Sequence, residues 1–202
     1  MSNPAGRSLF RPVLIVVVVL LILFFHTHGS SRDASTMSQE PTHDAGALSK
    51  LTVRIRQSST SPPTLTLSVT NDHTSPLTIL RWNTPLDPVA LAVGVLSVTP
   101  EGEDTPLELD LIALKRLMPP PEDDIVTLHP GESREQEVVL REPALPFDKL
   151  GKKPRIAAKG KWQTVWPTTA DKLSKETIEK LQFGDGVLSG DFETEAIEVT
   201  LP

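Results

Sequence analysis

Residues 51–72, LTVRIRQSSTSPPTLTLSVTND, show a two-residue hydrophobic period on both sides of a Ser/Pro-rich loop. Every second residue from Leu51 to Ile55 is apolar, and so is every second residue from Leu65 to Val69. Successive side chains of a β-strand point to opposite faces, so each half places its apolar residues on one face. The pattern predicts two half-buried antiparallel strands, with Thr64 and Thr66 facing outward.

Similar segments separated by turn residues follow along the chain. They are PLTILRW (76–82), ALAVGVLSVTP (90–100), PLELDLI (106–112), IVTL (125–128), ESREQEVVL (132–140), KPRIAAKGKWQTVW (153–166) and EAIEVTLP (195–202). One helix is predicted in TADKLSKETIEKLQF (169–183), whose apolar residues can share a face. Short strands at this spacing predict an all-β fold, an antiparallel β-sandwich with one short helix.

The N-terminal region predicts where the domain is located. Residues 13–25 are all apolar, Arg7 and Arg11 precede them, and no charged residue follows until Arg32. A helix of this length spans roughly 20 Å, short of the ~30 Å hydrocarbon core. The layout is typical of a signal peptide. An uncleaved signal anchor is the alternative, and either would place the C-terminal domain on the lumenal or extracellular side.

The sequence therefore predicts three regions. Residues 1–31 form an N-terminal hydrophobic helix that serves as signal peptide or signal anchor. Residues 32–46 are polar, without hydrophobic periodicity, and are predicted to form a flexible linker. Residues 47–202 are predicted to form the β-sandwich domain.

Composition excludes several classes of function. The 202 residues contain no cysteine, which rules out a disulfide framework, a thiol nucleophile and a cysteine zinc site. The net charge is −6, whereas a nucleic-acid footprint needs clustered Lys and Arg. No partner of that class is expected.

Known catalytic and metal-binding patterns are also missing from the sequence. The histidines do not form His-Glu-x-x-His, no Gly-x-Ser-x-Gly occurs, and the acidic clusters lack the spacing of a calcium loop. We therefore predict no catalytic residue, no metal site and no cofactor. Paired loop carboxylates remain an open alternative for a hydrolase, with Asp110, Glu122, Asp123 and Asp124 as the candidates.

The stretch RWNTPLDP, residues 81–88, contains one of only three tryptophans. We predict a structural turn in which the tryptophan ends a strand and caps the core while its indole N–H finds a partner. Proline fixes φ within the turn. A ligand-binding loop is the alternative interpretation. The predicted motif comprises Trp82, Asn83, Thr84, Pro85, Leu86 and Asp87.

In their order along the chain, LTVRIRQ, TLTLSVTND, LTILRWNTPLD, VTLHPGES and EQEVVL resemble a known module. It is the non-catalytic, propeptide-like N-terminal domain of fungal deuterolysin-type and peptidyl-Lys metalloendopeptidases. The resemblance covers about residues 48–166 and implies an immunoglobulin-like sandwich. The catalytic domain of those proteases has no counterpart here, so the resemblance carries over neither protease activity nor catalytic residues.

These observations predict a non-catalytic module of the fungal secretory pathway, either secreted or membrane-tethered. Its expected partner is a protein such as a protease, toward which it would act as a propeptide-like domain, inhibitor or chaperone. Binding would use an edge strand or the loops at one end of the sandwich. Two alternatives stay open: a hydrolase that uses the loop carboxylates, and a passive wall-associated structural module.

Overall fold

The computed structural model describes residues 46–202. The predicted N-terminal hydrophobic helix and nearly all of the predicted linker lie outside the described residues. Within this range the chain forms nine strands and one α-helix. They are β1 (Leu51–Thr60), β2 (Pro63–Asn71), β3 (Leu77–Leu80), β4 (Leu96–Thr99), β5 (Ile125–Leu128), β6 (Ser133–Val139), β7 (Arg155–Trp166), α1 (Lys175–Lys180), β8 (Leu188–Glu193) and β9 (Ile197–Glu198). In the part of the chain described here, no helix is long and apolar enough to span a bilayer.

The strands form two antiparallel sheets. One has the order β1-β2-β6, and in the other β7 pairs with β4, β3, β8 and β9, while β5 pairs with β3. Strands β5 and β6 are joined by the turn around Gly131, yet β5 pairs with β3 and β6 pairs with β2. The chain therefore crosses from one sheet to the other at this turn.

One continuous hydrophobic core joins the two sheets. Leu65, Leu67 and Val69 of β2 contribute to it from the first sheet, and Ile79 and Trp162 contribute from the second. All five side chains are at most 1% exposed. The two inner faces thus meet as in a β-sandwich, which is the fold that the alternating pattern predicts.

The first hairpin confirms the predicted alternation. Strand β1 pairs with β2 from Leu51↔Asn71 to Thr60↔Pro63, with a register shift between Gln57 and Ser59. Thr64, predicted to face solvent, is only 7% exposed, and Thr66, also predicted to face solvent, is only 2% exposed. Thr66 lies on the outer face of the central strand, directly between its cross-strand partners Arg56 and Glu137. A residue of a central strand has cross-strand neighbours on both sides, which a single-strand pattern does not show.

Two predicted strands are wrong in extent or in kind. In residues 90–100 only β4 is a strand, because Gly94 takes a φ of 81° and the N–H of Val95 closes a turn onto the carbonyl of Ala90. Residues 106–112 form no strand at all. The N–H of Leu107 donates to Val98 on β4, but no further rungs follow, and Leu111 is 58% exposed.

The C-terminal elements also differ from prediction. The helix predicted over residues 169–183 is reduced to the six residues of α1, flanked by short 3₁₀ turns at Ala170–Lys172 and Leu181–Phe183. Leu181 has a positive φ of 47°, which ends the helix. Strand β8 was not predicted, and the closing strand predicted over residues 195–202 is limited to β9.

Candidate functional site

The start of the RWNTPLDP motif is held by Asp124. The N–H of Arg81 donates to the Asp124 carbonyl at 2.9 Å, and the indole Nε1 of Trp82 donates to Asp124 Oδ2 at 2.7 Å. The guanidinium of Arg81 lies 3.3 Å from Asp124 Oδ1. Trp82 packs with Leu80 and Trp166 in a small second cluster rather than in the main core. The indole therefore has the polar partner that was predicted, but it covers a different apolar cluster.

The turn that follows is built from side-chain contacts to the backbone. Asn83 adopts a left-handed φ of 55°, a conformation that asparagine tolerates better than most residues. The Thr84 hydroxyl donates to the Arg81 carbonyl at 2.7 Å and accepts from the N–H of Leu86 at 3.2 Å. Thr84, Pro85 and Leu86 are buried. Most of the motif is therefore unavailable to a ligand.

Asp87 is the centre of this turn and is fully buried. Its carboxylate accepts from the N–H of Asn83 at 2.7 Å and from the N–H of Val89 at 3.1 Å. The third partner is the guanidinium of Arg116, at 2.5 Å. Three donors, one of them charged, compensate for the desolvation of the carboxylate.

Arg116 connects the buried turn to the surface. While its guanidinium binds Asp87, the same group lies 5.7 Å from the centre of the Trp82 ring, a cation–π distance. Arg116 belongs to residues 111–118, which form neither helix nor strand. We call this segment the apolar strip, because it holds five of the seven exposed large hydrophobic residues described. They are Leu111, Ile112, Leu114, Leu117 and Met118.

A groove lies between the apolar strip and strand β7. Its volume is about 580 Å³, and Trp82 and Asn83 are the only members of the predicted motif that line it. We call it the β7 groove. Its charged and polar lining is Arg116, Lys159, Lys161, Gln163 and Asn83, and its apolar lining includes Trp82, Ile112, Leu114 and Leu181.

The loop carboxylates proposed for a hydrolase do not gather at this groove. Asp110, Glu122 and Asp123 are exposed, and none of them lines the β7 groove. The carboxylate of Asp124 is already bound by Trp82 and Arg81. Within residues 46–202, no three His, Asp or Glu side chains are close enough together to hold a metal ion.

The chain matches a protein family and is similar to a known protein. Residues 50–201 match the family model of an immunoglobulin-like domain. An "Uncharacterized secreted protein" of Arthroderma benhamiae is 34% identical over 140 residues, which are 69% of each chain. The chain therefore belongs to the immunoglobulin-like domain family, and the predicted fold class is confirmed. The closer resemblance to the propeptide-like domain of metalloendopeptidases stays a prediction.

The cationic residues of the β7 groove were not identified from the sequence as candidate site residues. Lys159 and Lys161 stand in a segment that was assigned only by its hydrophobic period, and Arg116 stands in a segment to which no element was assigned. The one local signal was the run LIALKRLM at residues 111–118, where apolar side chains continue past the end of any alternation. Exposed apolar side chains grouped in this way mark interaction surfaces more often than single ones do.

Proposed function

We propose that this chain is a secreted, non-catalytic immunoglobulin-like module that binds another protein. The observation that carries the proposal is the apolar strip: exposed large apolar side chains are concentrated there rather than scattered. Contiguous exposed apolar surface rimmed by polar groups is typical of protein-binding sites. Loops at the rim of a rigid sandwich are also the usual place for recognition.

Two observations support secretion. The apolar run of residues 13–25, preceded by Arg7 and Arg11, is typical of a signal sequence. The similar protein of Arthroderma benhamiae is described as secreted. The absence of cysteine from the sequence is compatible with an oxidising compartment, because a domain of this size folds without disulfides.

A protease of the secretory pathway is the partner class to test first. The resemblance to propeptide-like domains suggests it, and an extended apolar surface suits a partner that presents a groove or an unpaired strand. Binding without catalysis also agrees with the arrangement of the loop carboxylates, since Asp124 serves to hold Trp82 and Arg81.

Site-specific crosslinking tests the proposal. A photoreactive residue would be placed at Leu117, which is 75% exposed on the apolar strip. The matched control position is Arg54, exposed on the outer face of β1. We expect one defined protein of the secretory pathway to be captured from position 117 and not from position 54. Equal capture at both positions, or none at either, would contradict the proposal. Each captured protease would then be assayed for inhibition by the purified chain.

A further inference from the structure

Strand β7 has an unpaired interval on the side that faces the β7 groove. Ala158 pairs with Leu96 of β4, while its carbonyl accepts from Thr194, which directly follows β8. Val165 pairs with both Ile79 of β3 and Leu188 of β8. Strands β4 and β3 therefore share one side of β7, and β8 occupies the other.

The gap between β4 and β3 is about five residues long. Strand β4 ends its pairing at Ala158, and the next residue, Lys159, still donates its N–H to the Val95 carbonyl. Pairing with β3 begins again only at Val165. Among residues 46–202, no strand pairs with 160–164 on this side. The interval forms one wall of the β7 groove through Gly160, Lys161 and Gln163.

The opposite wall of the groove is the apolar strip, which forms neither helix nor strand. Ile112 and Leu114 are 49% and 42% exposed, and the N–H of Ile112 donates to the Ala92 carbonyl at 3.0 Å. The salt bridge between Arg116 and Asp87 fixes the far end of this wall. A space bounded by an unpaired strand interval on one side and exposed apolar side chains on the other suits an extended peptide, which can bind by adding a strand to the unpaired interval.

The charges of the groove specify what that peptide must carry. Its charged lining residues are all cationic, Arg116, Lys159 and Lys161, although the chain as a whole has a net charge of −6. Lys159 and Lys161 are two positions apart on one exposed face. Alternate residues of a strand are about 6.7 Å apart. Carboxylates at alternate positions of a strand alongside β7 would match this spacing.

The chain itself places acidic residues on β8, which pairs with the edge of β7 opposite the groove. Glu193 is the cross-strand partner of Lys159, and Asp191 is the partner of Lys161, both from β8. Neither carboxylate lines the β7 groove, and neither is joined to its lysine by a salt bridge in the described residues. Within the described residues, the two ammonium groups therefore form no salt bridge with these carboxylates that an anionic occupant would have to break.

We propose that the β7 groove binds an extended acidic segment of the partner protein, with two carboxylates at alternate positions and apolar residues beside them. The carboxylates contact Lys159 and Lys161, and the apolar side chains contact Ile112 and Leu114. The backbone of the segment pairs with residues 160–164. This inference rests on the proposed protein-binding function and adds the site and the chemistry of the partner.

Fluorescence anisotropy with a labelled peptide tests the site. The probe is Ser-Val-Glu-Leu-Glu-Val-Thr, and its comparison carries Lys in place of both Glu residues. Using the purified full chain, we expect the acidic peptide to bind and the basic peptide to bind at least tenfold more weakly. Added salt should weaken binding of the acidic peptide, because salt screens the attraction between exposed charges. Absence of binding by the acidic peptide, or equal binding of both peptides, overturns the proposal.

Charge-reversal variants identify where the peptide binds. Lys159→Glu combined with Lys161→Glu should weaken binding at least tenfold, and Lys159→Gln with Lys161→Gln should weaken it less. Lys50→Glu combined with Lys172→Glu makes the same change in net charge at exposed positions outside the groove. This control should change binding less than twofold. Equal weakening by the two Glu double variants would show a non-specific charge effect and overturn the proposal.

Different experimental results would contradict the groove proposal and the proposed protein-binding function. If crosslinking from position 117 captures a protein equally well with Lys159→Glu and Lys161→Glu in place, the partner binds without the groove. That result overturns the groove proposal and leaves protein binding standing. If position 117 captures nothing, the proposed function itself fails. Circular dichroism of each variant would verify that the fold is retained.

Discussion

The buried carboxylate of Asp87 and the guanidinium of Arg116 are joined at 2.5 Å across 29 positions of sequence. Asp87 is fully buried in the turn after β3, whereas Arg116 belongs to the exposed apolar strip. The pair therefore sets the position of a surface segment from inside the domain. The position of the surface that a partner would bind at the apolar strip therefore depends on the buried charge of Asp87.

Replacing Asp87 should strongly destabilise the domain. Asp87→Ala leaves two backbone N–H groups and the Arg116 guanidinium without their acceptor. Removing one partner of a buried ion pair costs roughly 3–5 kcal/mol. We expect a loss of this size in the free energy of unfolding, measured by urea denaturation. The exposed Asp123 is the control, and Asp123→Ala should change stability by less than about 0.5 kcal/mol.

Arg116→Lys should loosen the apolar strip without unfolding the sandwich. Lysine keeps the positive charge but loses the planar fork that contacts both Asp87 and Trp82. We expect faster hydrogen exchange at the N–H of Ile112, which bonds to Ala92. Exchange in the β1–β2 hairpin should stay unchanged, because local opening does not require global unfolding. Uniform acceleration throughout the domain would show that the salt bridge supports the whole fold instead.

Asn71 joins the two sheets, and its loss should be costly. Its amide nitrogen donates to the carbonyls of Ser75 and Leu128 at 2.9 and 2.8 Å, and its Oδ1 accepts from the N–H of His73. A buried polar group left unpaired costs about 1–3 kcal/mol. We expect Asn71→Ala to lower the unfolding free energy by about 2–3 kcal/mol. Asp72→Ala, at the exposed neighbouring residue, should lower the free energy of unfolding much less when both variants are measured by the same denaturation experiment.

Gly131 sits at the crossing between the sheets and needs its left-handed backbone. Its φ is 79°, and an added Cβ would meet nothing within 4 Å. Gly131→Ala should therefore cost only the conformational penalty, about 1–2 kcal/mol. Gly46 also has open space around its Cβ position but has no positive φ. Thermal melts should show a lower Tm for Gly131→Ala and almost no change in Tm for Gly46→Ala. Equal shifts in Tm would contradict this explanation.

The helix α1 provides a prediction about pH. The Lys180 hydrogen bond, followed by its charge, lowers the pKa of Glu176 from its ordinary value. Because the folded pKa is the lower one, the pair adds stability above the unfolded pKa, and this is lost as pH falls through the folded pKa. We expect Lys180→Gln to raise the pKa of Glu176 toward normal in an NMR titration. The pKa of Asp171, lowered chiefly by Thr169, should not move.

The fold was predictable where burial alternates strictly along one strand. Leu51 to Ile55 and Leu65 to Val69 show the period, and the structure pairs them in a hairpin. Strand β8 was missed because Ser189, Gly190 and Asp191 interrupt its apolar residues, so its pairing with β7 comes from tertiary contacts. Leu107 to Leu111 show the period but form no strand, because the segment separates from β4 after one rung.

The site was less predictable than the fold because its contacts are long-range. A tryptophan near a turn suggested that its indole would need a partner, and that partner is Asp124, 42 residues away. The burial of Asp87 depends on Arg116, which no spacing rule connects to it. Arg116 joins Lys159 and Lys161 of β7 only because the apolar strip lies beside that strand.

The side-chain amide of Gln57 exchanges two hydrogen bonds with the backbone of Thr200, at 2.8 and 2.9 Å. These residues are 143 positions apart, and the buried Leu201 follows directly. A ribosome releases Gln57 long before it releases Thr200, so this contact within the sandwich cannot form until residue 200 has been synthesised. The half-made domain would then expose its interior to chaperones for most of its translation.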